Sequence, residues 1–294
     1  MESNKDNKVV LITGATGGLG QELTAQFLQQ GYRVFLVARN ADKLQALQKQ
    51  YAQNYVDKVA IAVADFSKLS SSMVEGVFTA CVEKWQAPDI LVNNAGITGG
   101  VGKSYELSFH EYTDAFQVNL FAAIELCRVC VPAMVAKGHG KIIQISGGGA
   151  TGPRENFSPY ALSKTALVRY TENLSRELDE LRPGVQIDVN AIAPGAMKTA
   201  MTEEILQMGK DTVGEKEFSG LSKKLQTAPT PPAVAAELCL FLASSASDGI
   251  SGRLLSAVWD KWQDLPKVLD ELRTSDIYTL RRVIGKDRGK EWDK

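Results

Sequence analysis

The feature that most constrains the fold lies near the start of the chain, where a short apolar run meets a glycine-rich turn. Residues 9–12 are Val-Val-Leu-Ile, residues 13–20 are Thr-Gly-Ala-Thr-Gly-Gly-Leu-Gly, and an amphipathic stretch follows over residues 21–30. Glycines let a backbone approach a phosphate closely, and a helix N-terminus offers N–H donors and a partial positive charge. The order of strand, glycine turn and helix therefore predicts the phosphate-binding start of a dinucleotide fold.

A second strand is predicted over residues 33–39, and its end should lie beside the adenosine ribose of a dinucleotide. Sites that choose NAD commonly carry a carboxylate there, whereas this chain has Ala38 and Arg39. A guanidinium can pair with a 2′-phosphate in a bidentate manner, so these residues predict NADP(H) in preference to NAD(H). The alternative is that Arg39 only tops a solvated loop.

Strand-like and helix-like stretches alternate along the chain as far as residue 193. Further strands are predicted over residues 59–64, 89–92, 140–146, 185–193 and 252–258, and further helices over residues 42–53, 70–84, 108–137, 159–181 and 231–244. Such alternation favours an α/β fold in which helices cover both faces of a parallel sheet. Residues 1–258 are therefore predicted to form one dinucleotide-binding domain that also holds the substrate pocket.

Two segments lie outside this alternation. Residues 200–227 are charged and helical in pattern between two turns, which is typical of a mobile cover over a binding site. Residues 259–294 are predicted to form short amphipathic helices that pack on the same domain. Trp259 and Trp262 are predicted to anchor this tail, because large aromatic side chains at helical spacing more often pack on their own domain than bind a ligand.

Polar and small residues follow several of the predicted strands. They are Asp65 after the third strand, Asn93-Asn94-Ala95-Gly96 after the fourth, Gly147-Gly148-Gly149 after the fifth and Pro194-Gly195 after the sixth. In an open parallel sheet the carboxyl ends of the strands face the ligand, so these residues are predicted to line the site. The alternative for Asn93 and Asn94 is that they only make a turn.

A phenol and an ammonium stand four residues apart at the start of the predicted helix 159–181, as Tyr160 and Lys164. Side chains at this spacing lie on one face of a helix. A nearby positive charge favours the phenolate and brings a tyrosine into the range where a general acid or base works. The pair therefore predicts a proton donor for a carbonyl oxygen.

Composition and charge limit the binding partners and the cellular location that can be predicted for the protein. The chain of 294 residues is 44% hydrophobic and has a formal net charge of -1, which gives no electrostatic reason to expect nucleic acid or an anionic membrane as a partner. Cys127 and Cys130 lie in an apolar periodic run and are interpreted as buried thiols, with no metal site predicted. The first eight residues are polar, and no apolar run approaches a membrane span, so a cytoplasmic location is predicted.

Together these motifs resemble the short-chain dehydrogenase/reductase family over roughly residues 8–258. The motifs that match in order are Thr13-Gly14-(three residues)-Gly18-Leu19-Gly20, Asp65, Asn93-Asn94-Ala95-Gly96, Asn119, Tyr160-(three residues)-Lys164 and Pro194-Gly195 with Thr199. The resemblance implies a seven-stranded Rossmann-type sheet, hydride transfer between a nicotinamide and a carbonyl or alcohol, and a homo-oligomer, at least a dimer, through the helices 108–137 and 159–181.

The resemblance also implies residue roles. Tyr160 would donate or accept the proton, Lys164 would bind the nicotinamide ribose and tune the tyrosine, and Asn119 would hold a water in the proton relay. Thr199 would bind the carboxamide. The residues predicted to bind the cofactor are Gly14, Thr16, Gly18, Leu19, Gly20, Arg39, Asp65, Phe66, Asn93, Ala95, Gly96, Tyr160, Lys164, Pro194, Gly195 and Thr199.

One departure from the family pattern concerns the group that polarises the substrate oxygen. Family members usually carry a serine thirteen residues before the tyrosine, and this chain has Gly147 there, with Ser146 one residue earlier. A shift of one residue at a strand end turns a side chain to the other face. Ser146 can therefore serve as a fourth catalytic residue only if the glycines reshape the backbone. Otherwise a backbone N–H or a water takes the role, or the chemistry is impaired.

Three functions follow from these observations. The leading hypothesis is an NADP(H)-dependent oxidoreductase that acts on a small or medium polar carbonyl compound or alcohol. A cofactor-binding regulator or scaffold with weakened catalysis is the alternative that Gly147 permits. An intermediate hypothesis is an epimerase or dehydratase, an enzyme that uses the nicotinamide and regenerates it in each turnover.

Overall fold

Seven parallel strands form one sheet in the computed structural model, which describes residues 7–291. In chain order the strands are β1 Val9–Thr13, β2 Arg33–Ala38, β3 Val59–Val63, β4 Ile90–Asn93, β5 His139–Ile145, β6 Gln186–Ala193 and β7 Leu254–Ser256. Their order across the sheet is β3-β2-β1-β4-β5-β6-β7. The predicted Rossmann-type, doubly wound, seven-stranded parallel sheet is confirmed.

The helices that surround the sheet follow the predicted pattern closely. They are α1 Gly18–Gln29, α2 Ala41–Ala52, α3 Ser71–Lys84, α4 Phe109–Phe116, α5 Ala122–Lys137, α6 Ser158–Asp179, α7 Ala200–Gln207, α8 Gly209–Val213, α9 Glu215–Thr227, α10 Pro232–Ala243 and α11 Leu269–Thr274. Residues 117–121 form a π-helical turn between α4 and α5, so the helix predicted over residues 108–137 is continuous but contains a turn of wider pitch.

Both faces of the sheet are buried, which explains why its strands read as continuous apolar runs. Val10 and Ile12 of β1 join a core cluster with residues of α1, α2 and α10. Val9 and Leu11 point the other way, into a cluster with residues of α3, α5 and α6. Alternate residues of one strand thus pack against two different helix layers, as the period of two in a strand requires.

The strand order reverses between β1 and β4. From β1 the chain builds outward through β2 to β3, and from β4 it builds in the opposite direction to β7. Ligands of open α/β sheets bind in the crevice at such a switch point, outside the carboxyl ends of the strands. The glycine turn after β1 and the segment after β4 flank this crevice.

The expectation that no run approaches a membrane span is wrong by length and composition. Within the described residues, the helical run Phe109–Lys137 is 29 residues long, and its most apolar window has a mean hydropathy of 1.7. The run packs against the sheet and against α6, and residues such as Leu126 and Met134 are fully buried there. Packing in the protein core therefore accounts for part of the apolar character of this helix, since 44% of that window is buried.

The end of the sheet opposite the crevice holds a buried cluster of charged side chains. Lys141 of β5 and Asp188 of β6 are register partners, and Lys141 Nζ lies 2.7 Å from Asp188 Oδ2. Arg182 Nη2 lies 2.6 Å from Asp188 Oδ1, and Asp248 Oδ1 lies 2.7 Å from Lys141 Nζ. The side chains of Lys141 and Asp188 are 1% and 0% exposed, so Asp188 compensates two cations in a region that water barely reaches.

The tail contains helices, as predicted, and folds back on β7 and α6. Arg253, which precedes β7, donates from Nη1 to the carbonyl oxygens of Ser275 at 3.0 Å and Ile277 at 2.7 Å, and from Nη2 to that of Leu272. Leu254 N of β7 donates to Tyr278 O at 2.8 Å. The tail therefore lies along the outer edge of the sheet.

The two tail tryptophans differ in their surroundings. Trp262 is 8% exposed and its ring centre lies 5.2 Å from that of Phe241 in α10, so the prediction that it anchors the tail is confirmed. The prediction is wrong for Trp259, which is 84% exposed. The 3₁₀ helix begins only at Trp262, whereas Trp259 lies in the turn that follows β7, so the two side chains do not share a helix face.

The cover predicted over residues 200–227 consists of α7, α8 and α9. Ile205, Val213 and Leu221, one from each helix, are buried in a cluster with Phe157 and Tyr160. The backbone carbonyl of Val213 also accepts a hydrogen bond from Asn156 Nδ2 at 3.1 Å. These helices therefore rest directly on the segment that carries the predicted catalytic tyrosine.

Candidate active site

The glycine turn after β1 is held against the end of β4 by Asn94. Asn94 Nδ2 donates to Thr13 O at 2.9 Å and Gly14 O at 3.1 Å. Thr13 Oγ1 accepts hydrogen bonds from the backbone N–H groups of Asn94 and Ala95, each at 3.0 Å. These contacts bring the two predicted ligand-binding segments together across the switch point.

The glycines of this turn are required by close packing. Gly14 has φ +63°, and a Cβ atom there would lie 2.9 Å from the Cα atom of Ala95. A Cβ atom on Gly20 would lie 2.3 Å from Gly14 O. Larger residues at either position would therefore displace the backbone of the turn.

The N-terminus of α1 is open at the crevice. Its N-cap residue, Gly17, makes no side-chain hydrogen bond, and the first turn carries no acidic residue. The first N–H groups of the helix thus lack a side-chain cap and can serve an anionic ligand. A Cβ atom on Gly18 would lie 3.2 Å from Thr199 Cγ2, so the predicted carboxamide-binding threonine also borders this turn.

Arg39 and Asp65 lie at the carboxyl ends of β2 and β3. The Arg39 side chain is exposed. Hydrogen bonds from Ser67 lower the pKa of the Asp65 carboxyl, whose Oδ1 accepts from Ser67 N at 3.1 Å and Ser67 Oγ at 2.8 Å. A solvated guanidinium and an ionised carboxylate thus flank the place predicted for the adenosine.

Asn119 and Lys164 meet beside Gly96. Asn119 lies in the π-helical turn, where its Oδ1 accepts from Ile97 N at 2.8 Å and its Nδ2 donates to Ile97 O and to Ser163 Oγ, each at 2.9 Å. A Cβ atom on Gly96 would lie 3.3 Å from Asn119 Oδ1 and 3.5 Å from Lys164 Nζ. The amide that interrupts an apolar helix is therefore fully hydrogen-bonded at the site.

Lys164 is buried and holds the end of β5. Its Nζ donates to Ile145 O at 2.7 Å and lies 5.9 Å from the centre of the Tyr160 ring. Burial lowers the pKa of Lys164 to about 8. Because this pKa lies close to neutral pH, a charged ligand that binds beside Lys164 would change the protonation of its amino group.

Tyr160 occupies the space of the side chain that Gly147 lacks. A Cβ atom at residue 147 would lie 2.1 Å from Tyr160 Oη and 3.1 Å from Cζ. A serine at this position would thus force the phenol to move. Tyr160, the predicted proton donor, can therefore take its position because residue 147 is a glycine and not the serine usual in the family.

Ser146 lies just after β5, and its backbone N–H still donates to Ile192 O of β6 at 2.8 Å. Its side chain is buried, and Ser146 Oγ has no hydrogen-bond partner among residues 7–291. Gly149 has φ +94°, so the glycine segment does turn the chain sharply here. The catalytic role of Ser146 stays a prediction.

A positively charged residue that was not predicted from the sequence, Arg154, lies close to Tyr160. Burial raises the pKa of the Tyr160 phenol, and the positive charge of Arg154 acts in the opposite direction. Arg154 belongs to the loop between β5 and α6 and lies with its guanidinium carbon 5.5 Å from the centre of the Tyr160 ring. The predicted tuning by Lys164 stays a prediction.

Some predicted cofactor residues have side chains that point into the core. Leu19, Phe66 and Asn93 are each about 5% exposed, and Asn93 Nδ2 faces Cys127 Sγ at 3.9 Å. Any contact of these residues with a ligand therefore comes from the backbone. Thr13 and Arg154 were absent from the predicted site residues, and Asn94 was predicted to line the site but was absent from the predicted cofactor-binding residues. Alternation along β4 points to Asn94, because adjacent strand side chains face opposite ways.

All four cysteines are buried and form no disulfide, which confirms the interpretation of Cys127 and Cys130 as buried thiols. Burial raises the pKa of Cys127 to about 12. Within the described part of the chain no group of three or more His, Cys, Asp or Glu side chains is arranged to hold a metal ion.

Comparison with known proteins places this arrangement in a family. The family model described as short chain dehydrogenase matches residues 8–210. A 3-oxoacyl-[acyl-carrier-protein] reductase, FabG, of Thermotoga maritima is 30% identical over 252 residues, which cover 85% of this chain and 96% of the relative. The NADP-dependent 3-hydroxy acid dehydrogenase YdfG of Escherichia coli is 27% identical over 210 residues, which cover 71% of this chain and 81% of the relative.

A solved structure agrees with these relatives. The crystal structure of actinorhodin polyketide ketoreductase with NADPH superposes with a TM-score of 0.77 and 28% identity, covering 87% of this chain and 97% of that one. The family model, the two relatives and the solved structure each cover more than two thirds of this chain. The chain therefore belongs to the short-chain dehydrogenase/reductase family of oxidoreductases.

Proposed function

We propose that this protein is an NADP(H)-dependent oxidoreductase that interconverts a carbonyl compound and an alcohol, with Tyr160 as general acid and base. One observation carries the proposal: the glycine turn, Asn119, Lys164 and Tyr160 meet at the switch point of the sheet. Ligand and proton donor would therefore be neighbours in the crevice. The names of the relatives, a hydroxy acid dehydrogenase and ketoreductases, support this direction of chemistry.

The residues present fit NADP(H). The turn at Gly14 and the open N-terminus of α1 suit a pyrophosphate, since they combine close backbone approach with free N–H groups. Arg39 would pair with the 2′-phosphate, and Thr199, beside Gly18, would reach the carboxamide. When bound, the nicotinamide would supply or accept the hydride at the substrate carbon.

The proton would move through Tyr160. In carbonyl reduction its phenol would donate a proton to the substrate oxygen, and in alcohol oxidation its phenolate would take that proton back. Lys164, close to Gly96, would bind the nicotinamide ribose and, through its charge, favour the phenolate. Asn119 would fix the segment at Ile97 and support a water in the proton relay.

The substrate pocket would be formed by residues 147–157, the cover and the tail. The substrate is proposed to be a small or medium polar carbonyl compound.

We further propose that residues 1–258 form one cytoplasmic catalytic domain with the tail 259–294 as an extension of it. A homo-oligomer, at least a dimer, through residues 108–137 and 159–181 is part of the same proposal.

A second function is favoured by Gly147 and by the unpaired hydroxyl of Ser146. Without a polarising side chain the protein could bind NADPH as a regulator, or recycle it as an epimerase. Cofactor turnover separates the three functions: a reductase consumes NADPH in step with product, an epimerase forms product without net consumption, and a regulator binds without turnover. Assaying NADPH absorbance and product together over a panel of ketones and keto acids tests the proposal.

Arg39 should set the preference between the two cofactors. A charge-assisted bidentate contact contributes ~1.5–3 kcal/mol, so NADPH should bind roughly ten- to a hundredfold more tightly than NADH. Arg39→Ala should remove that preference and leave NADH affinity unchanged. Titration of tryptophan fluorescence with each cofactor measures both affinities. The matched control is Arg33→Ala at the opposite end of β2, which should keep the preference; equal affinities in the unmodified protein would refute the assignment.

The cover should become more protected when NADPH binds. Most residues of α7–α9 are exposed, and the helices are held mainly by Ile205, Val213 and Leu221. Hydrogen exchange over residues 200–227 should therefore be fast in the free protein and slower with NADPH. The buried helix α10 serves as an internal control, because its exchange should be slow in both states. Slow and unchanged exchange of the cover would mean that it is a fixed part of the fold.

A further inference from the structure

Arg154 stands between Tyr160 and the cover. Its guanidinium carbon lies 4.0 Å from the centre of the Phe157 ring and 5.5 Å from the centre of the Tyr160 ring. Its Nε and Nη2 atoms both donate to Oε1 of Glu217 in α9, at 2.8 and 2.5 Å, and its side chain is 17% exposed. One partly buried cation thus links the tyrosine to the cover.

Most of the other side chains around Tyr160 are apolar, so few charged groups can act on its phenol. The apolar neighbours of the ring are Phe157, Ile205, Val213 and Leu221. Lys164 lies 5.9 Å from the ring centre and its ammonium is engaged by Ile145 O. The Glu217 carboxylate accepts hydrogen bonds from the Arg154 guanidinium. The charge that acts on the phenol is therefore that of Arg154, with Glu217 offsetting it, whereas an action of Lys164 on the phenol belongs to the function proposed above.

Charge on the phenol oxygen changes during the proposed reaction. As the carbonyl accepts a hydride at carbon, the Tyr160 proton moves to its oxygen and the phenol oxygen becomes negative. A cation within ~4–6 Å favours that charged form, and a carboxylate paired with the cation reduces the effect. Because residue 147 has no side chain, it offers the phenol oxygen no hydroxyl group, and the support must come from elsewhere.

On the basis of the function proposed above, we propose that Arg154 is a positioning residue that stabilises negative charge on the Tyr160 oxygen, and that Glu217 of the cover weakens this action while it is ion-paired with Arg154. The position of the cover thereby sets the strength of the acid beneath it. A cover that holds Glu217 against Arg154 lowers the effect of the cation, and one that withdraws Glu217 restores it.

Two variants that break the same ion pair separate this role from a structural one. Arg154→Met removes the cation and keeps an apolar stem, so Tyr160 should ionise at higher pH. Glu217→Gln keeps an acceptor for the guanidinium but removes the opposing charge, so Tyr160 should ionise at lower pH. Glu215→Gln, on the same helix and paired with Lys210 at 3.6 Å, is the matched control and should cause no change.

The readout is tyrosinate absorbance during pH titration of the protein without added cofactor. Each variant is compared with the same variant carrying Tyr160→Phe, so that the difference reports Tyr160 among the 8 tyrosines. With NADPH and a carbonyl substrate, kcat of Arg154→Met should also fall roughly tenfold, the effect typical of a close charge on an ionising group. Arg154→Lys, which keeps the charge, should recover most of it.

Opposite shifts in Arg154→Met and Glu217→Gln support the proposal. Shifts in the same direction would show a structural latch and overturn it, as would an unchanged titration in Arg154→Met. If Arg154→Met does not fold, Glu217→Gln alone decides, and an unchanged or upward titration overturns the proposal. The titration needs neither cofactor nor substrate, so its result is independent of whether the proposed reaction is correct.

Discussion

Replacement of Tyr160 by phenylalanine should lower carbonyl reduction by ~10²–10⁴-fold, the contribution typical of general acid catalysis. The change removes one oxygen and keeps the ring that packs against Phe157 and the cover cluster. The fold and the glycine turn should therefore survive. NADPH affinity should stay within about threefold of the unmodified protein, since the lost interaction acts on the transition state. Steady-state rates and NADPH titration measure the two effects separately.

Phe157→Leu is a suitable control for this variant. Phe157 is fully buried beside Tyr160, so the substitution disturbs the same cluster without removing the hydroxyl. Its effect on kcat should be much smaller than that of Tyr160→Phe. Unchanged turnover in Tyr160→Phe, on a substrate that the unmodified protein reduces well, would show that another group supplies the proton. NADPH binding without turnover of any carbonyl compound or alcohol would instead favour the regulator.

Asp188→Asn should be the most destabilising of the conservative changes at the far end of the sheet. Asp188 is 0% exposed and compensates both Lys141 and Arg182. Removing its charge leaves Lys141 with Asp248 and Arg182 with Asp179, and these two carboxylates are 42% and 66% exposed, so they compensate the buried cations less well. Breaking a buried pair from one side costs ~3–5 kcal/mol, so the free energy of unfolding should fall by about that amount. Urea unfolding followed by circular dichroism measures the loss.

Lys141→Met tests the asymmetry of this cluster. Without Lys141, the Asp188 carboxylate still faces Arg182 at 2.6 Å and accepts from Gln186 Nε2 at 2.9 Å. Its charge therefore remains compensated, and methionine fills the space of the lysine stem. The free energy of unfolding should fall by less than about 2 kcal/mol, because the large cost of breaking a buried ion pair comes from a charge left uncompensated, and Asp188 keeps Arg182. If Asp188→Asn and Lys141→Met lowered the free energy of unfolding by equal amounts, charge compensation by Asp188 would not explain the stability of the cluster.

The sheet could be predicted from the sequence because its signals are local. A glycine turn after the apolar run at residues 9–12 and the alternation that follows each depend on a few neighbouring residues. Continuous apolar strands also require helices on both faces, which fixes the layer order. The small errors lie at element ends, such as β7, where Leu254–Ser256 is shorter than the predicted 252–258 because only part of the run pairs with β6.

The candidate site was less predictable because its contacts join distant parts of the chain. Arg154 and Glu217 are separated by 63 residues, and no periodic pattern marks their pairing. The meeting of Gly147 and Tyr160 depends on how the loop after β5 folds back over α6. The sequence shows that a side chain is missing at residue 147, whereas only the three-dimensional structure shows that the phenol takes up the space.

The tail has a consequence for how the sheet meets other chains. A strand at the edge of a sheet presents unpaired N–H and C=O groups that can template pairing with another molecule. Here Leu254 N is already bonded to Tyr278 O, and Arg253 binds the backbone of the tail. The chain thus carries its own protection against open-ended strand-to-strand polymerisation. Because residues 275–278 are synthesised after β7, the edge of β7 stays unguarded on the nascent protein until these residues have left the ribosome.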